Sequence, residues 1–140
     1  MSTIDDMLRN TRVIAVLGAH HERHRAAFYV PDYLATQGYR IIPVNPTLDA
    51  KQLWGEPVRN TLAEIAEPVD MVDVFRRSEL LPRHLGDMLA MQPRPNYVWL
   101  QLGVRNDRVA QQLVAAGIEV VQDLCTLAEH KGRNIGPVHS

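Results

Sequence analysis

A basic segment at residues 20–25 carries the residue types best suited to bind an anion. It holds three histidines and two arginines around one glutamate. Arg23 and Arg25 each offer a planar fork of donors that matches the oxygens of a phosphate group. The histidines add N–H donors, and positive charge when they are protonated. A solvated basic loop is the alternative, but cations at a helix start oppose the helix dipole unless an anion lies between them.

Two regular elements must position this segment. Residues 13–17 form a short apolar run rich in β-branched residues, which is typical of a strand buried on both faces. Gly18 ends the run, and a helical pattern begins at about Ala26. A strand, a glycine turn and a helix bring backbone N–H groups and the positive end of the helix dipole to one point. We expect a phosphorylated ligand to bind at that point.

The rest of the chain alternates strands with helices, which predicts an α/β protein with a Rossmann-like, doubly wound sheet. We expect five parallel strands with helices on both faces of the sheet. With the strands numbered along the chain, we predict the order 3-2-1-4-5. The predicted strands are residues 13–17, 39–44, 69–75, 97–102 and 118–121.

The predicted order sets the position of the ligand crevice. The sheet would reverse between the first and fourth strands, so residues 18–25 and 101–104 would line the crevice. Residues 45–46 and 75–76 would flank it. Pro43 lies in the second strand and cannot donate to a ladder, so we expect this strand to fray there or to lose a neighbour on that side.

The glycine turn does not carry the fingerprint of a dinucleotide site. That fingerprint is G-x-G-x-x-G followed by an acid at the end of the second strand. This chain has Gly18 alone, and its second strand ends in Asn45-Pro46. NAD binding in the usual pose is therefore disfavoured. A ligand with a phosphate on its ribose, such as NADP(H), stays open because it needs no acid there.

Metal binding and thiol chemistry are also disfavoured. The three histidines of the basic segment are partly adjacent, and no Asp or Cys stands at ligand spacing from them, so we predict no metal site. Cys125 is the only cysteine, which excludes an internal disulfide. Cys125 and His130 are five residues apart on one predicted helix and do not share a face, so we predict no catalytic pair.

Bulk properties narrow the class of protein. The chain has 140 residues and a formal net charge of −1, which gives no support to a nucleic-acid or membrane-surface role. It lacks signal-peptide features and membrane-spanning runs, so we expect a cytoplasmic protein. We expect one domain over residues 1–140, with a core at about 5–132 and a flexible C-terminal tail. Apolar surface near Trp54 or the fifth strand could support a homodimer.

Four blocks of the chain resemble a known family. The resemblance covers about residues 5–132 and is specific through the combination of the blocks. It is to the small stand-alone CoA-binding proteins, which are similar to the N-terminal CoA-binding domain of the succinyl-CoA synthetase α subunit. The blocks are residues 16–19 with Arg25 downstream, residues 38–46, residues 68–76 and residues 99–104.

The resemblance implies a Rossmann-like domain that binds coenzyme A or an acyl-CoA, without an established reaction. The turn after the first strand would receive phosphate, and the turns after the other strands would line the nucleotide and pantetheine path. This chain has His20 where many relatives carry serine. The implied ligand-binding residues are Gly18, Ala19, His20, Arg25, Asn45, Pro46, Val74, Phe75, Arg76, Gln101 and Gly103.

The resemblance does not extend to ligase chemistry, because the phosphorylated histidine of the synthetase belongs to a second domain. We therefore expect no catalytic residue and a role as a CoA-responsive regulator or carrier, with an unidentified protein partner. An enzyme that acts on an acyl-CoA or an NADP(H)-type nucleotide is the alternative. It would need a positioned base or nucleophile, for which His20 and Cys125 are the candidates.

Overall fold

The computed structural model describes residues 1–138. The strands are β1 (Val13–Leu17), β2 (Arg40–Val44), β3 (Gln52–Leu53), β4 (Glu56–Pro57), β5 (Met71–Val74), β6 (Tyr97–Leu100) and β7 (Glu119–Val121). The α-helices are α1 (Ile4–Asn10), α2 (Ala26–Thr36), α3 (Leu81–Ala90), α4 (Asp107–Ala115) and α5 (Thr126–Gly132). Two short 3₁₀ helices, Leu62–Glu64 and Ser78–Leu80, lie in the connections.

One parallel sheet has the strand order β2-β1-β5-β6-β7, and β3 pairs with β4 in a small antiparallel hairpin. The predicted fold class, a Rossmann-like α/β fold with five parallel strands, is confirmed. The predicted order 3-2-1-4-5 is wrong. The third strand of the prediction, β5, pairs with β1 on one side and β6 on the other. This is the second common order of doubly wound sheets.

Two residues favour the observed order. Just before β5, Asp70 accepts hydrogen bonds from the N–H groups of Arg12 and Val13, both at 2.9 Å, which joins the starts of β5 and β1. In β2, the carbonyl of Pro43 faces away from β1 and accepts from the N–H of Arg59 at 3.0 Å. The proline nitrogen faces the same way and cannot donate. β2 therefore suits the edge of the sheet and not the interior place that the predicted order gave it.

Apolar side chains cover both faces of the sheet. In β1, Ile14 and Val16 pack in one core with residues of α1 and α2, whereas Ala15 and Leu17 pack in a second core with residues of α3 and α4. This alternation follows from the two-residue period of a strand. Helices therefore pack on both faces of the sheet.

The corrected order moves the reversal of the sheet to the gap between β1 and β5. The chain leaves β1 for β2 on one side and then returns to β5 on the other. In open parallel sheets, ligands bind outside the carboxyl ends of the strands at such a reversal. The loop after β5, predicted as a flank, thus becomes one of the two central loops.

The segment after α5 packs against the body of the protein as far as residue 138. Ile135 is buried, and the N–H of Val138 donates to the carbonyl of Gln37 at 2.9 Å. The remainder of the predicted flexible tail, residues 139–140, lies outside the described residues. Within residues 1–138, no helix has the length and apolarity required to cross a bilayer.

Candidate functional site

A cleft of about 660 Å³ opens where β1 and β5 end. It lies between the turn after β1, the first turns of α2, the loop after β5 and the loop after β6. Its size falls in the range of ligand pockets, roughly 300–1,000 Å³. The lining residues are Gly18, His20, Arg25, Ala26, Ala27, Tyr29, Val30, Asn45, Phe75, Arg76, Arg77, Gln101, Leu102, Gly103, Val104 and Cys125.

Gly18 lets the two central loops approach each other. Its φ is +92°, in the left-handed region that disfavours side chains. A Cβ at this position would lie 2.5 Å from the carbonyl oxygen of Phe75 and 2.9 Å from the Cδ of Arg76. Glycine is therefore required both by the backbone conformation and by the close packing. Because glycine has no side chain, the aliphatic part of Arg76 can lie against the turn after β1.

The backbone N–H groups of this turn bind within the protein. Those of Gly18 and Ala19 both donate to the carbonyl of Val44, at 2.8 and 3.3 Å, and that of His20 donates to the carbonyl of Ala27 at 3.3 Å. Ala27 has a carbonyl to offer because Pro31, one turn later in α2, has no N–H to donate. The proline inside α2 thus ties the basic segment to the helix. The turn itself does not present the donors that the sequence predicted.

The first turn of α2 presents backbone donors instead. Arg25 is the N-cap residue, and its side chain makes no capping hydrogen bond. Within residues 1–138, the N–H groups of Ala26 and Ala27 have no acceptor. Both residues line the cleft. These N–H groups and the positive helix end together suit a phosphate oxygen.

Arginine side chains bring positive charge to two sides of the cleft. The Nε of Arg25 lies 3.3 Å from a carboxylate oxygen of Glu22, and both side chains are largely exposed. An exposed pair of this kind contributes little and can open for an anion. Arg76, from the loop after β5, donates from Nε to the Nε2 of His84 at 3.4 Å. Burial, reinforced by the charge of Arg76, lowers the pKa of His84, which keeps that acceptor neutral.

His20 is a neutral donor in this cleft. Its Nδ1 accepts a hydrogen bond from the N–H of Glu22 at 3.0 Å, which leaves the proton of the neutral ring on Nε2. Burial and the charge of Arg25 lower the pKa of His20. The contribution of His20 to anion binding is therefore an N–H donor and not an additional charge.

Most of the predicted site residues come together in the cleft. Gly18, His20, Arg25, Asn45, Phe75, Arg76, Gln101 and Gly103 line it. Three others do not. Ala19 and Val74 are fully buried beneath it, and Pro46 lines a separate cavity of about 100 Å³ beside Gly18. These three residues were predicted from the family resemblance, and their side chains do not reach the cleft.

Asn45 lines the cleft, but its side chain mainly holds the loop in place. Its Nδ2 donates to the carbonyl of Ala19 at 2.9 Å, and its Oδ1 accepts from the N–H and hydroxyl of Thr47. The residue is buried. It therefore fixes the ends of β1 and β2 relative to each other, next to the place where a dinucleotide site would need a carboxylate.

The cleft also has apolar side chains, of which Tyr29 was not predicted, whereas Leu102 and Val104 fall within the predicted lining segment 101–104. Tyr29 and Leu102 are 48% and 71% exposed, which is unusual for large apolar side chains, and both line the cleft. Val104 and the half-buried thiol of Cys125 lie in the same lining. Helical spacing carried a usable signal for one side of the cleft, because Ala26, Tyr29 and Val30 share a helix face.

The fold and the cleft define the class of protein. An open parallel sheet with a cationic, partly apolar cleft at its reversal is the architecture of a domain that binds phosphorylated cofactors. Comparison with known proteins gives the particular family. The model of the CoA binding domain matches residues 12–131, and the chain belongs to this family.

Among residues 1–138, no group of three or more His, Cys, Asp or Glu could hold a metal ion.

Individual proteins are similar to the chain to different degrees. The chain is 36% identical over 127 residues to the uncharacterized protein YneT of Bacillus subtilis (strain 168), which covers 91% of each protein. A solved structure from Thermus thermophilus is 44% identical, with a TM-score of 0.88 over 94% of this chain and 98% of that one. The dinucleotide-forming acetyl-coenzyme A synthetase 1 of Ca. Korarchaeum cryptofilum shares only the fold. It is 17% identical, with a TM-score of 0.68 over 83% of this chain and 27% of that one.

Proposed function

We propose that the protein binds coenzyme A or an acyl-CoA in this cleft and does so without turnover. The observation that carries the proposal is that Arg25, Arg76 and the open first turn of α2 all line the same cleft. Coenzyme A bears a diphosphate and a ribose phosphate, which match these donors. It needs no carboxylate after β2, where this chain has the engaged amide of Asn45.

The two sides of the cleft suggest how the ligand lies. The phosphates are proposed to bind between Arg25, the first turn of α2 and Arg76. The pantetheine arm, and an acyl group where one is present, then run towards the apolar side chains of Leu102 and Val104. Such a division into a charged end and an apolar end is common in cofactor sites.

Binding without turnover is favoured by the state of two titratable groups, Asp73 and His20, whereas the thiol of Cys125 lies in the cleft lining. The carboxyl of Asp73 is fully buried and has no access to a ligand. His20 uses one ring nitrogen to accept the N–H of Glu22, so it cannot take a proton there without losing this bond. The alternative function is that of an enzyme acting on an acyl-CoA or on an NADP(H)-type nucleotide.

We expect isothermal titration to show saturable binding of coenzyme A, with weaker binding of dephospho-coenzyme A, which lacks the ribose phosphate. Loss of one charged hydrogen bond is worth about 1.5–3 kcal/mol, or roughly tenfold or more in affinity. NADPH is the control ligand. Heat with NADPH and none with coenzyme A would overturn the proposal. Release of free thiol from acetyl-CoA at a steady rate would overturn the part that excludes turnover.

Arg25→Ala is expected to weaken coenzyme A binding by about three- to tenfold, because an exposed guanidinium loses part of its interaction to screening. Pantetheine, which has no phosphate, should bind both forms equally. Arg23→Ala is the matched control, since Arg23 is an exposed cation of the same segment and does not line the cleft. Equal losses for coenzyme A and pantetheine would contradict a phosphate-binding role for Arg25.

We further propose that the protein is cytoplasmic and acts as a CoA-responsive regulator or carrier, through a homodimer or another protein partner. Val114 on α4 is exposed and lies beside the edge strand β7, which supports an apolar contact at that edge of the sheet. Sedimentation velocity with and without coenzyme A tests this. A monomer under both conditions would rule out the homodimer.

A further inference from the structure

A buried polar network lies beneath the cleft. The side chains of Asp73 on β5 and Thr126 at the start of α5 are fully buried, and Gln101, directly after β6, is 4% exposed and lines the cleft. The Nε2 of Gln101 donates to Asp73 Oδ1 at 2.6 Å and to Thr126 Oγ1 at 2.7 Å. The Thr126 hydroxyl donates to Asp73 Oδ2 at 3.1 Å, which closes a ring of three side chains.

This ring fixes which end of the Gln101 amide is left for a ligand. Above the pKa of Asp73, which burial raises to about 7, its carboxylate can only accept. The hydroxyl proton of Thr126 goes to Asp73, so Thr126 can only accept from Gln101. Both contacts therefore require N–H donors, and the amide nitrogen supplies both. If the amide were reversed, Oε1 would stand 2.6 Å from a carboxylate oxygen, with no proton between two acceptors.

The oxygen end of the same amide has no partner. Among residues 1–138, no donor binds Gln101 Oε1, although the side chain is more than nine-tenths buried. Oε1 is not fully buried and lies at the cleft, where an N–H group of a ligand can take the place of water as its donor. The backbone of Gln101 is engaged separately with Val74 and Val104. The open position therefore belongs to the side-chain carbonyl alone.

We propose that Gln101 is a specificity-determining residue whose Oε1 accepts a hydrogen bond from an N–H group of bound coenzyme A, with Asp73 and Thr126 as positioning residues. The inference rests on the proposed function. Coenzyme A carries such donors at both ends, in the amine of adenine and in the amides of the pantetheine arm. A site built to pair with a ligand N–H rejects analogues that lack it.

The test compares wild type with Gln101→Met, which keeps the length of the side chain and removes both the acceptor and the N–H donors to Asp73 and Thr126. Calorimetric titrations use coenzyme A, phosphopantetheine, which lacks adenine, and adenosine bisphosphate, which lacks the pantetheine arm. They are run at about pH 8.5, where Asp73 is ionised, because burial raises its pKa to about 7. We expect Gln101→Met to weaken coenzyme A by about five- to tenfold and to weaken only the fragment that carries the donor.

Thr126 variants separate positioning from general stability. Thr126→Val keeps the shape of the side chain, releases one N–H of Gln101 and should weaken the same fragment by about threefold. Thr126→Ser should restore it. A residue with only a structural role would leave the ratio of the two fragment affinities unchanged, which would overturn the positioning role.

The possible failures are distinguishable. Coenzyme A affinity within twofold of wild type in Gln101→Met, or equal losses for both fragments, would overturn this inference and leave the proposed function standing. Wild-type protein that binds none of the three ligands would overturn the proposed function, and this inference with it.

Discussion

Gly18→Ala is expected to lower the free energy of unfolding by about 3 kcal/mol and to weaken coenzyme A binding by about tenfold. A left-handed φ costs a residue with a side chain about 1–2 kcal/mol, and forcing a methyl group against a packed backbone adds about 1–3 kcal/mol. The methyl group would meet the carbonyl oxygen of Phe75 at 2.5 Å, and a backbone atom cannot turn aside as a side chain can. The loop after β5 must therefore move and take Arg76 with it.

Gly117 is the matched control for Gly18. It has nearly the same backbone conformation, but no atom lies close to the position of an added Cβ. Its φ is +87°, and a Cβ there would meet nothing within 4 Å. Gly117→Ala should cost about 1 kcal/mol and leave coenzyme A affinity unchanged, since the residue does not line the cleft. Urea unfolding and titration of both variants give the comparison. Similar unfolding free energies for the two would show that the close approach at Gly18 is not what requires glycine.

The fold class was predictable because it depends on local patterns. Apolar runs such as residues 13–17 and the glycines that end helices mark the elements and their alternation, which is enough for a parallel sheet with covered faces. The strand order depends on contacts between distant residues. The hydrogen bonds from Arg12 and Val13 to Asp70 join residues that are 58 and 57 positions apart, and no local sequence pattern predicts them. Pro43 was a local signal for the strand order, because its missing N–H favours an edge position for β2 over the interior position of the predicted order.

The sequence pointed to the end of β1 but not to the donors found there. Gly18 and the basic segment indicated the carboxyl end of β1, because a glycine between a strand and a helix marks that end, and the structure has a cleft there. Which N–H groups remain available depends on tertiary partners. The carbonyl of Val44 takes two of them, and Pro31 makes the carbonyl of Ala27 available for a third. The network beneath the cleft was missed for the same reason, since Asp73 reads in sequence as an ordinary polar residue within a strand.

Asp73→Asn is expected to make the protein more stable than wild type at about pH 8, by up to about 4 kcal/mol. Burial raises the pKa of Asp73 from 3.8 to about 7, against the smaller opposing effect of its bonds from Gln101 and Thr126. Each pKa unit corresponds to about 1.4 kcal/mol. Between about pH 4 and pH 7 the folded protein keeps a proton that the unfolded chain has released, so stability falls as pH rises through this window. The stabilising contribution is complete below the unfolded pKa and is lost above the folded one.

Asparagine removes this dependence because it is neutral at every pH and still offers Gln101 an oxygen. The readout is the difference in unfolding free energy between wild type and variant at about pH 4, 6 and 8. The difference is needed because Glu22, Glu56 and Glu119 have lowered pKa values and give the opposite trend in both proteins. If the difference does not change with pH, the carboxyl of Asp73 titrates near its ordinary value. Its burial would then be balanced by the two hydrogen bonds, and the ring that orients Gln101 would keep its charge across the whole range.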